Sequence, residues 1–425
     1  MAVPGCVIRE AVRRSATKGM IIIMQLNDRP LAGVLVVELA TFVAAACCTR
    51  FLADQGANVI KIEPLDGDGL RYAAFTEGRP DLPGENIVYD IDNGNKRGMA
   101  MNLKDTKCFE ILMALIGKAD IFVTNWRPKA LERMGLDYES LKKAYPKLIY
   151  GSVTGYGDKG PDMDLPGYDF SAFFARSGML GSLYEKGTLP MNLIPSVGDR
   201  QAGMFLSAGL LAALYKAEKT GVGEKVSISL LGTAVFVQGT MIESSQYGLF
   251  SYPLHKRDSP NPLTCCYQTR DGRFVQLALP IISMFPLLAK ALDMETWLTD
   301  PGFSKLDAES AHLFYDSIAT RIAEFSTGDL VAALKREGVP FSLAQVWSEV
   351  LEDEQAWADD CFLEMDYPSG TRILVRNPVH FEEAGLPDFT KSPRLGQHTG
   401  EIIKELGYSD GDIQDLLDTG RIVIT

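Results

Sequence analysis

Residues 35–63 read LVVELATFVAAACCTRFLADQGANVIKIE, and this stretch decides the fold class. The run LVVEL at 35–39 is short and apolar, which predicts a buried strand. From 44 to 54, small and apolar residues recur at helical spacing, and Gly56 predicts the end of that helix. Residues 58–63 then predict a second strand. A βαβ unit of this kind predicts a parallel sheet flanked by helices.

The same alternation continues towards the C-terminus. The predicted elements are a helix at 105–118, a strand at 120–124, helices at 129–134 and 138–144, a strand at 148–153, a long helix at 203–216 and a strand at 226–230. The N-terminal half is therefore predicted to be α/β.

A linker with three prolines at 252–262 separates a second, smaller region. It opens with a predicted hairpin whose turn is Asp271-Gly272, a strong hairpin signal. The expected organisation is a tail at 1–29, a large domain at 30–250, a linker with a small domain at 251–385, and a return to the large domain at 386–425. The tail is predicted to be disordered or to precede a start at Met20 or Met24, with a transit peptide as the alternative.

Composition excludes several functions. The net charge is −13 over 425 residues, which argues against nucleic acid or an anionic membrane as the main partner. No apolar run approaches the length of a membrane span. The seven cysteines form no CxxC pair and have no nearby histidine, so they predict reduced thiols in a cytoplasmic protein and no metal site. The four histidines are isolated, and no GxSxG elbow supports a hydrolase triad.

The turn at 40–46 follows the first strand, where a dinucleotide-binding fold carries its glycines. It contains none, so we do not expect an NAD site. Glu63, at the end of the second strand, is accordingly interpreted as a surface carboxylate rather than a ribose ligand.

Six basic residues lie within 38 residues of this otherwise acidic chain. They are Lys96, Arg97, Lys104, Arg127, Lys129 and Arg133. They are candidates for a pocket that binds phosphates, because Arg pairs with phosphate oxygens bidentately. Solvated helix faces are the alternative interpretation.

Residues 154–169 read TGYGDKGPDMDLPGYD, with four glycines and two prolines in 16 residues. Such a segment predicts a loop at the end of a strand, where open α/β sheets bind ligands. Asp169 lies at its end, and a carboxylate can attack a thioester to give a mixed anhydride. An Asx-turn or a helix cap is the alternative for Asp169, and Asp199 is interpreted as the N-cap of the helix at 203–216.

Several of these strings together resemble the class III CoA-transferases. They are GANVIKIEP at 56–64, NGNKR at 93–97, ADIFVTNWRPKALERMG at 119–135, GYG with PGYDF at 155–170, and GDRQAGM at 198–204. The resemblance runs from about 31 to 399 and beyond. It implies a Rossmann-like parallel-sheet large domain, a smaller α+β domain and an interlocked homodimer. It also implies an acyl-CoA thioester as substrate, with no permanently bound cofactor.

The resemblance also implies roles for particular residues. Asp169 matches the nucleophile of the family, which forms an aspartyl anhydride and then an aspartyl-CoA thioester. The residues that match its CoA contacts are Val43, Ala44, Met101, Asn102, Leu103, Lys104, Asn125, Trp126, Arg127, Arg133, Thr154, Gly155, Tyr156 and Gly157. The N–H groups near Gly155 and Gly157 are expected to stabilise oxyanions. Thr154 replaces a lysine of some members, and the glycine-run loop of the oxalate enzymes is absent from the second domain.

Within the family, the segments at 67–80, 125–148, 164–178 and 351–360 most resemble the phenyllactate CoA-transferases of amino-acid-fermenting anaerobes. Those enzymes transfer CoA from cinnamoyl-CoA to (R)-phenyllactate, which implies a link to a 2-hydroxyacyl-CoA dehydratase. A relative acting on 2-hydroxyisocaproate is the first alternative. An acyl-CoA racemase is the second, although its histidine corresponds to Tyr168 here. A non-catalytic CoA-binding subunit of a dehydratase is the third.

Overall fold

The computed structural model describes residues 29–74, 78–80, 82, 85–191, 193–248, 252–307 and 309–425. The predicted N-terminal tail therefore lies outside the described residues, except for Arg29. The chain divides into two compact units, of which the first takes the described residues of Met1–Met179, Leu193–Gly239 and Asp360–Thr425, and the second those of Leu180–Asn192 and Thr240–Asp359. This division differs from the expected boundaries, because residues 180–192 fall in the second unit and 360–385 in the first.

The strands are β1 (Leu35–Leu39), β2 (Asn58–Glu63), β3 (Arg97–Met101), β4 (Ile121–Thr124), β5 (Ile149–Thr154), β6 (Lys225–Ser229), β7 (Cys266–Gln268), β8 (Phe274–Leu277), β9 (Phe341–Leu343), β10 (Phe362–Tyr367), β11 (Gly370–Val375) and β12 (Ile422–Val423). Seven of them form the sheet of the first unit, in the order β12-β3-β2-β1-β4-β5-β6. All of its neighbouring pairs are parallel except β12 with β3. The predicted parallel sheet is confirmed.

The helices are α1 (Ala44–Asp54), α2 (Ile87–Asn93), α3 (Thr106–Ile116), α4 (Pro128–Met134), α5 (Tyr138–Ala144), α6 (Met179–Ser182), α7 (Val197–Thr220), α8 (Leu230–Val237), α9 (Gly239–Ser244), α10 (Phe285–Ala291), α11 (Ala311–Ile322), α12 (Thr327–Arg336), α13 (Trp347–Val350), α14 (Glu354–Ala358), α15 (Thr399–Glu405) and α16 (Asp410–Asp418). The helix predicted at 203–216 is α7, which starts six residues earlier. Asp199 therefore lies in its first turn and is not its N-cap, which is Ser196. None of the helices among the described residues is long and apolar enough to cross a bilayer.

Strand β3 was not predicted. Its sequence, RGMAM, contains no β-branched or aromatic residue, so local preference gives little sign of a strand. It forms because it pairs with β2 on one side and with β12 on the other, and its last four residues are buried. Tertiary pairing therefore overrides a weak local preference at this position.

Helices α1 and α7 pack closely against each other in the first unit. A side chain at Gly203 would place its Cβ 2.7 Å from the carbonyl oxygen of Ala44, so only glycine permits this approach. Ser207 Oγ also donates a hydrogen bond to the Cys48 carbonyl. This contact fixes the start of α1 relative to α7, and both helices contribute to the site.

The second unit contains an antiparallel sheet in the order β7-β8-β9. The predicted hairpin of β7 and β8 is confirmed, and Gly272 takes the positive φ of 86° that its turn requires. The core of the second unit contains packed aromatic rings, such as those of Phe285 and Phe314, whose centroids lie 4.8 Å apart.

Strand order places the candidate site. β1 lies between β2 and β4, so the chain direction across the sheet reverses at β1. Ligands of open α/β sheets bind beyond the carboxyl ends of the strands at such a switch point. The segments that follow β1, β4 and β5 are therefore expected to form a site.

Candidate active site

A cleft of about 480 Å³ opens at the carboxyl ends of β1, β4 and β5. Its walls include Thr41, Phe42, Val43, Ala44, Asn125, Trp126, Arg127, Thr154, Gly155, Gly167, Tyr168 and Asp199. The cleft therefore lies at the switch point, and we call it the main cleft.

Hydrogen bonds from one side chain join the loops that follow β1 and β4. The Asn125 side chain accepts a hydrogen bond from the Thr41 N–H at 3.0 Å and donates one to the Thr41 carbonyl at 2.6 Å. An amide side chain in this position replaces a backbone partner on both sides. The loops that follow β1 and β4 are thus held in register.

A buried ionic network supports the loop after β1. Lys61 Nζ lies 2.6 Å from Glu38, 3.0 Å from Asp68 and 3.1 Å from the Ala40 carbonyl, and all three side chains are fully buried. Lys96 also pairs with Glu38, at 2.8 Å. Burial alone raises the pKa of Glu38, but Lys61 and Lys96 lower it to about 2.

This network holds Phe42 in an unfavourable backbone conformation. Phe42 has a φ of 59°, in the left-handed region that bulky residues avoid, at a cost of order 1–3 kcal/mol. Its N–H donates to Asp68 Oδ1 at 3.1 Å. The Phe42 ring, 43% exposed, meets the Tyr168 ring edge to face at 6.2 Å. The strained residue, Phe42, therefore contacts Tyr168, which directly precedes Asp169 in the chain.

The glycine-rich loop closes through two of its glycines. A Cβ at Gly155 would lie 2.5 Å from the Gly167 Cα, and a Cβ at Gly167 would lie 2.4 Å from the Gly155 Cα. The two backbones can touch only because neither residue has a side chain. This contact brings residue 168 and its successor back to the end of β5.

Asp169 begins a wide helical turn of the π type, Asp169–Ala175, whose N-cap is Tyr168. The carboxylate of Asp169 does not cap this turn, because neither of its oxygens makes a hydrogen bond of good geometry. The residue is only 3% exposed. Burial raises the pKa of Asp169 to about 6. At neutral pH the carboxylate is therefore ionised but poorly solvated.

The carboxylate faces the start of α7. The N–H groups of Ser196, Gly198 and Asp199 and the charge of Arg200 lower the pKa of Asp169 and so offset part of the effect of burial. A Cβ at Gly198 would lie 2.3 Å from Asp169 Oδ1 and 2.2 Å from Phe173 Cγ. Gly198 thus allows the helix start to approach the carboxylate. Sequence reasoning missed this helix start, although the string GDRQAGM contains it.

The predicted CoA contacts fall into two groups. Seven of them line the main cleft: Val43, Ala44, Asn125, Trp126, Arg127, Thr154 and Gly155. The others, Met101, Asn102, Leu103, Lys104, Arg133, Tyr156 and Gly157, are not among its walls. Gly157 donates its N–H to Thr154 Oγ1 at 3.0 Å, so that group is already engaged and the expected oxyanion role does not fit it.

Two corrections concern charged residues near the site. The predicted phosphate cluster is only partly assembled, because Lys96 is buried against Glu38 and Arg97 pairs with Glu401 and Glu405. Arg127 is exposed and lies in the cleft wall. Glu63 is not a surface carboxylate, because it is buried and paired with Arg71 at 2.7 Å.

No group of three or more His, Cys, Asp or Glu side chains that could hold a metal ion occurs in the part of the chain that is described. Burial raises the pKa values of Cys47 and Cys48 in α1, which disfavours their thiolates. Asp169 is not itself in the wall of the main cleft, but its neighbour Tyr168 and its partner Asp199 are. Asp169 is therefore our candidate for the nucleophile among the described residues.

Comparisons with known proteins agree with this geometry. A model of CoA-transferase family III matches residues 31–399. The chain is 46% identical over 401 residues to the cinnamoyl-CoA:phenyllactate CoA-transferase of Clostridium sporogenes, covering 92% of this chain and 97% of the relative. It is 42% identical over 393 residues to the (R)-2-hydroxy-4-methylpentanoate CoA-transferase of Clostridioides difficile, covering 92% and 98%. The crystal structure of a CAIB/BAIF family protein from Brucella suis matches with a TM-score of 0.76 at 27% identity, covering 89% of this chain and 99% of that one. This chain belongs to CoA-transferase family III.

Proposed function

We propose that the protein transfers CoA from an acyl-CoA resembling cinnamoyl-CoA to a 2-hydroxy carboxylate such as (R)-phenyllactate, with Asp169 as the nucleophile. The observation that carries the proposal is the carboxylate of Asp169, buried against the start of α7 next to residues of the main cleft. A carboxylate is the nucleophile this chemistry needs, because its anhydride retains the energy of the thioester.

In the first step, Asp169 attacks the thioester carbonyl of the donor. The C–S bond breaks, CoA leaves as the thiolate, and an aspartyl-acyl anhydride remains. With a pKa of about 6, Asp169 is ionised at neutral pH and no general base is needed. The N–H groups of Gly198 and Asp199 lie beside the Asp169 carboxyl group, so they are suited to stabilise the oxyanion that forms when the aspartyl carbonyl is attacked in the second step.

In the second step, the CoA thiolate attacks the aspartyl carbonyl of the anhydride. This gives an aspartyl-CoA thioester and releases the donor acid. The acceptor carboxylate then attacks the aspartyl carbonyl, which releases the CoA thiolate and forms a second anhydride. The thiolate attacks the acceptor's acyl carbonyl in this anhydride, which gives the new acyl-CoA and regenerates the Asp169 carboxylate. Water hydrolyses each of these intermediates, so enclosure of the carboxylate protects the reaction.

Because the Asp169 carboxylate is enclosed, a side chain must move to admit the substrate. Both Asp169 oxygens are inaccessible, so the thioester reaches them only after a neighbour shifts. Tyr168 is 58% exposed, adjoins Asp169 in the chain and lies in the cleft wall, which makes its ring the side chain best placed to move.

CoA is proposed to occupy the main cleft. Arg127 is the cation of its wall, suited to a phosphate oxygen. Val43 and Ala44 lie at the start of α1, which has no side-chain cap, so its first N–H groups are suited to an anion. The seven other predicted contacts remain predictions.

The proposed carboxylic acid substrates are inferred from the substrates named for the two relatives. Phenyllactate and 2-hydroxy-4-methylpentanoate both carry an apolar side chain on a 2-hydroxy acid, and the higher identity favours the aryl acid. Racemase activity is disfavoured, because Tyr168 supplies no base where those enzymes have histidine.

The proposal is tested by assaying the purified chain with cinnamoyl-CoA and (R)-phenyllactate, alongside Asp169→Ala. We expect transfer by the wild type, loss of transfer by the variant, and retained CoA binding by both. Inactive wild-type protein that binds CoA would instead indicate a non-catalytic subunit. Unchanged transfer by Asp169→Ala would remove Asp169 from the mechanism.

The homodimer, the cytoplasmic location and the link to a 2-hydroxyacyl-CoA dehydratase remain proposals from the family resemblance. Light scattering on the purified protein tests the first. A mass of twice 46.6 kDa is expected.

A further inference from the structure

A second cleft, of about 250 Å³, lies in the first unit. Its walls are Val43, Arg79, Ile87, Val88, Asp90, Ile91, Pro195, Ser196, Arg200, Ile373, Leu374, Val375 and Phe389. They come from α2, from β11 and from the segment at the start of α7. We call it the side cleft.

Residues next to Asp169, in the chain or in space, line both clefts. The main cleft contains Tyr168 and Asp199, whereas the side cleft contains Ser196 and Arg200. Ser196 and Arg200 both act on the Asp169 carboxylate, and Val43 lines both clefts. A thioester at Asp169 has two arms, the CoA arm and the acyl arm, and these need separate spaces that meet at one carbonyl.

Two of the three charged side chains of the side cleft are engaged with residues outside it. Asp90 accepts a hydrogen bond from the Tyr367 hydroxyl at 2.9 Å and another from Ser392. Arg200 donates to both oxygens of Asp92, at 3.0 and 3.3 Å. The third, Arg79, is exposed. Pairing of Asp90 and Arg200 leaves mainly apolar atoms for a ligand, so an apolar group is favoured.

Most of the remaining walls are aliphatic, and several of these residues are exposed. Ile91 is 37% exposed, Ile373 39% and Val375 55%. A contiguous apolar patch next to a catalytic candidate marks a place where apolar ligand surface is buried. Its position beside Asp169 identifies that ligand as part of the substrate.

We propose that the side cleft receives the apolar side chain of the acyl group, and that Val88 and Ile91 set the size it admits. This inference rests on the proposed function and goes beyond it, because it assigns substrate selectivity to particular residues. The class of acid is one with an aryl or branched-alkyl side chain.

The test narrows and widens the cleft. Val88→Phe fills space, Ile91→Ala opens it, and Ile281→Phe, at an exposed position in the second unit, is the matched control. For each variant, kcat/KM is measured with cinnamoyl-CoA and with propanoyl-CoA, using one acceptor acid. Circular dichroism and thermal melting check the fold.

We expect Val88→Phe to lower kcat/KM for cinnamoyl-CoA about tenfold or more and to change that for propanoyl-CoA less than about twofold, since a misfit of one to two carbons costs 10–200-fold. Ile91→Ala should shift the ratio towards acyl groups larger than cinnamoyl. If Val88→Phe does not fold, the change in substrate preference of Ile91→Ala tests the inference by itself. Equal changes for both substrates, or none, would overturn the inference while leaving the transferase proposal intact. A wild type that transfers no acyl group would overturn both.

Discussion

Gly198→Ala is the substitution that tests the arrangement at Asp169 most sensitively. The added Cβ would lie 2.3 Å from Asp169 Oδ1 and 2.2 Å from Phe173 Cγ. Ordinary carbon contacts are about 3.5–4.0 Å, so these groups must separate by more than about 1 Å. Both side chains are buried, and overpacking of this kind costs about 1–3 kcal/mol.

The catalytic effect should exceed the effect on stability. A displacement of about 1 Å at a reacting group can lower a rate by 10²-fold. We therefore expect kcat to fall about 100-fold in Gly198→Ala, with CoA binding retained, because the main cleft holds Asp199 and not Gly198. Steady-state kinetics and CoA titration measure the two effects.

Gly328→Ala is the control, because a Cβ at that helical position has nothing within 4 Å. It should leave both activity and CoA binding unchanged. A Gly198→Ala protein with wild-type kcat would refute the reasoning, since it would show that the Asp169 carboxylate does not react from this position.

Three further predictions concern charged groups. The folded pKa of Asp169 is about 6, above its ordinary 3.8, so its ionisation costs stability above that pH and costs nothing below the unfolded value. Asp169→Asn should therefore raise the melting temperature at pH 8, with a smaller gain at pH 4. The kcat/KM of the wild type should fall as the pH drops through about 6, and a kcat/KM that does not change with pH would contradict this. Lys61→Met removes the cation of the buried Asp68 and leaves Glu38 with Lys96 alone, and it should lower the free energy of unfolding by about 3–5 kcal/mol in urea titrations, whereas the exposed Lys143→Met should not. Arg127→Ala should raise the KM for acyl-CoA about tenfold through loss of one charged hydrogen bond, whereas Arg97→Ala, whose partners are Glu401 and Glu405, should leave the KM unchanged; equal effects would remove Arg127 from the CoA site.

Local patterns predicted the parallel sheet because several of its strands contain short runs rich in Val, Ile and Leu. LVVEL and NVIKIE were placed at the residues where they occur. The weak run RGMAM was not recognised, because its strand depends on pairing with β2 and β12. Propensity cannot report a partner 300 residues away in the chain, as β12 is for β3.

The site shows the same division. The glycine-rich loop was predicted from its glycines and prolines. Asp169 was selected through the family resemblance, because a carboxylate in a loop also fits an Asx-turn or a helix cap. The buried pairs of Lys61 and Lys96 with Glu38 were not found, because a lysine in a sequence carries no sign of its burial. The approach of Gly198 to Asp169 likewise joins residues 29 positions apart, and only the folded chain brings them together.

Asp169 is proposed to carry the transferred group as a covalent intermediate. The direct measurement is mass spectrometry of the protein after incubation with cinnamoyl-CoA and hydroxylamine, followed by digestion. We predict a hydroxamate on the peptide that contains Asp169, because hydroxylamine attacks the aspartyl carbonyl of the anhydride or of the CoA thioester. An unmodified Asp169 peptide from protein that is turning over would contradict the covalent mechanism.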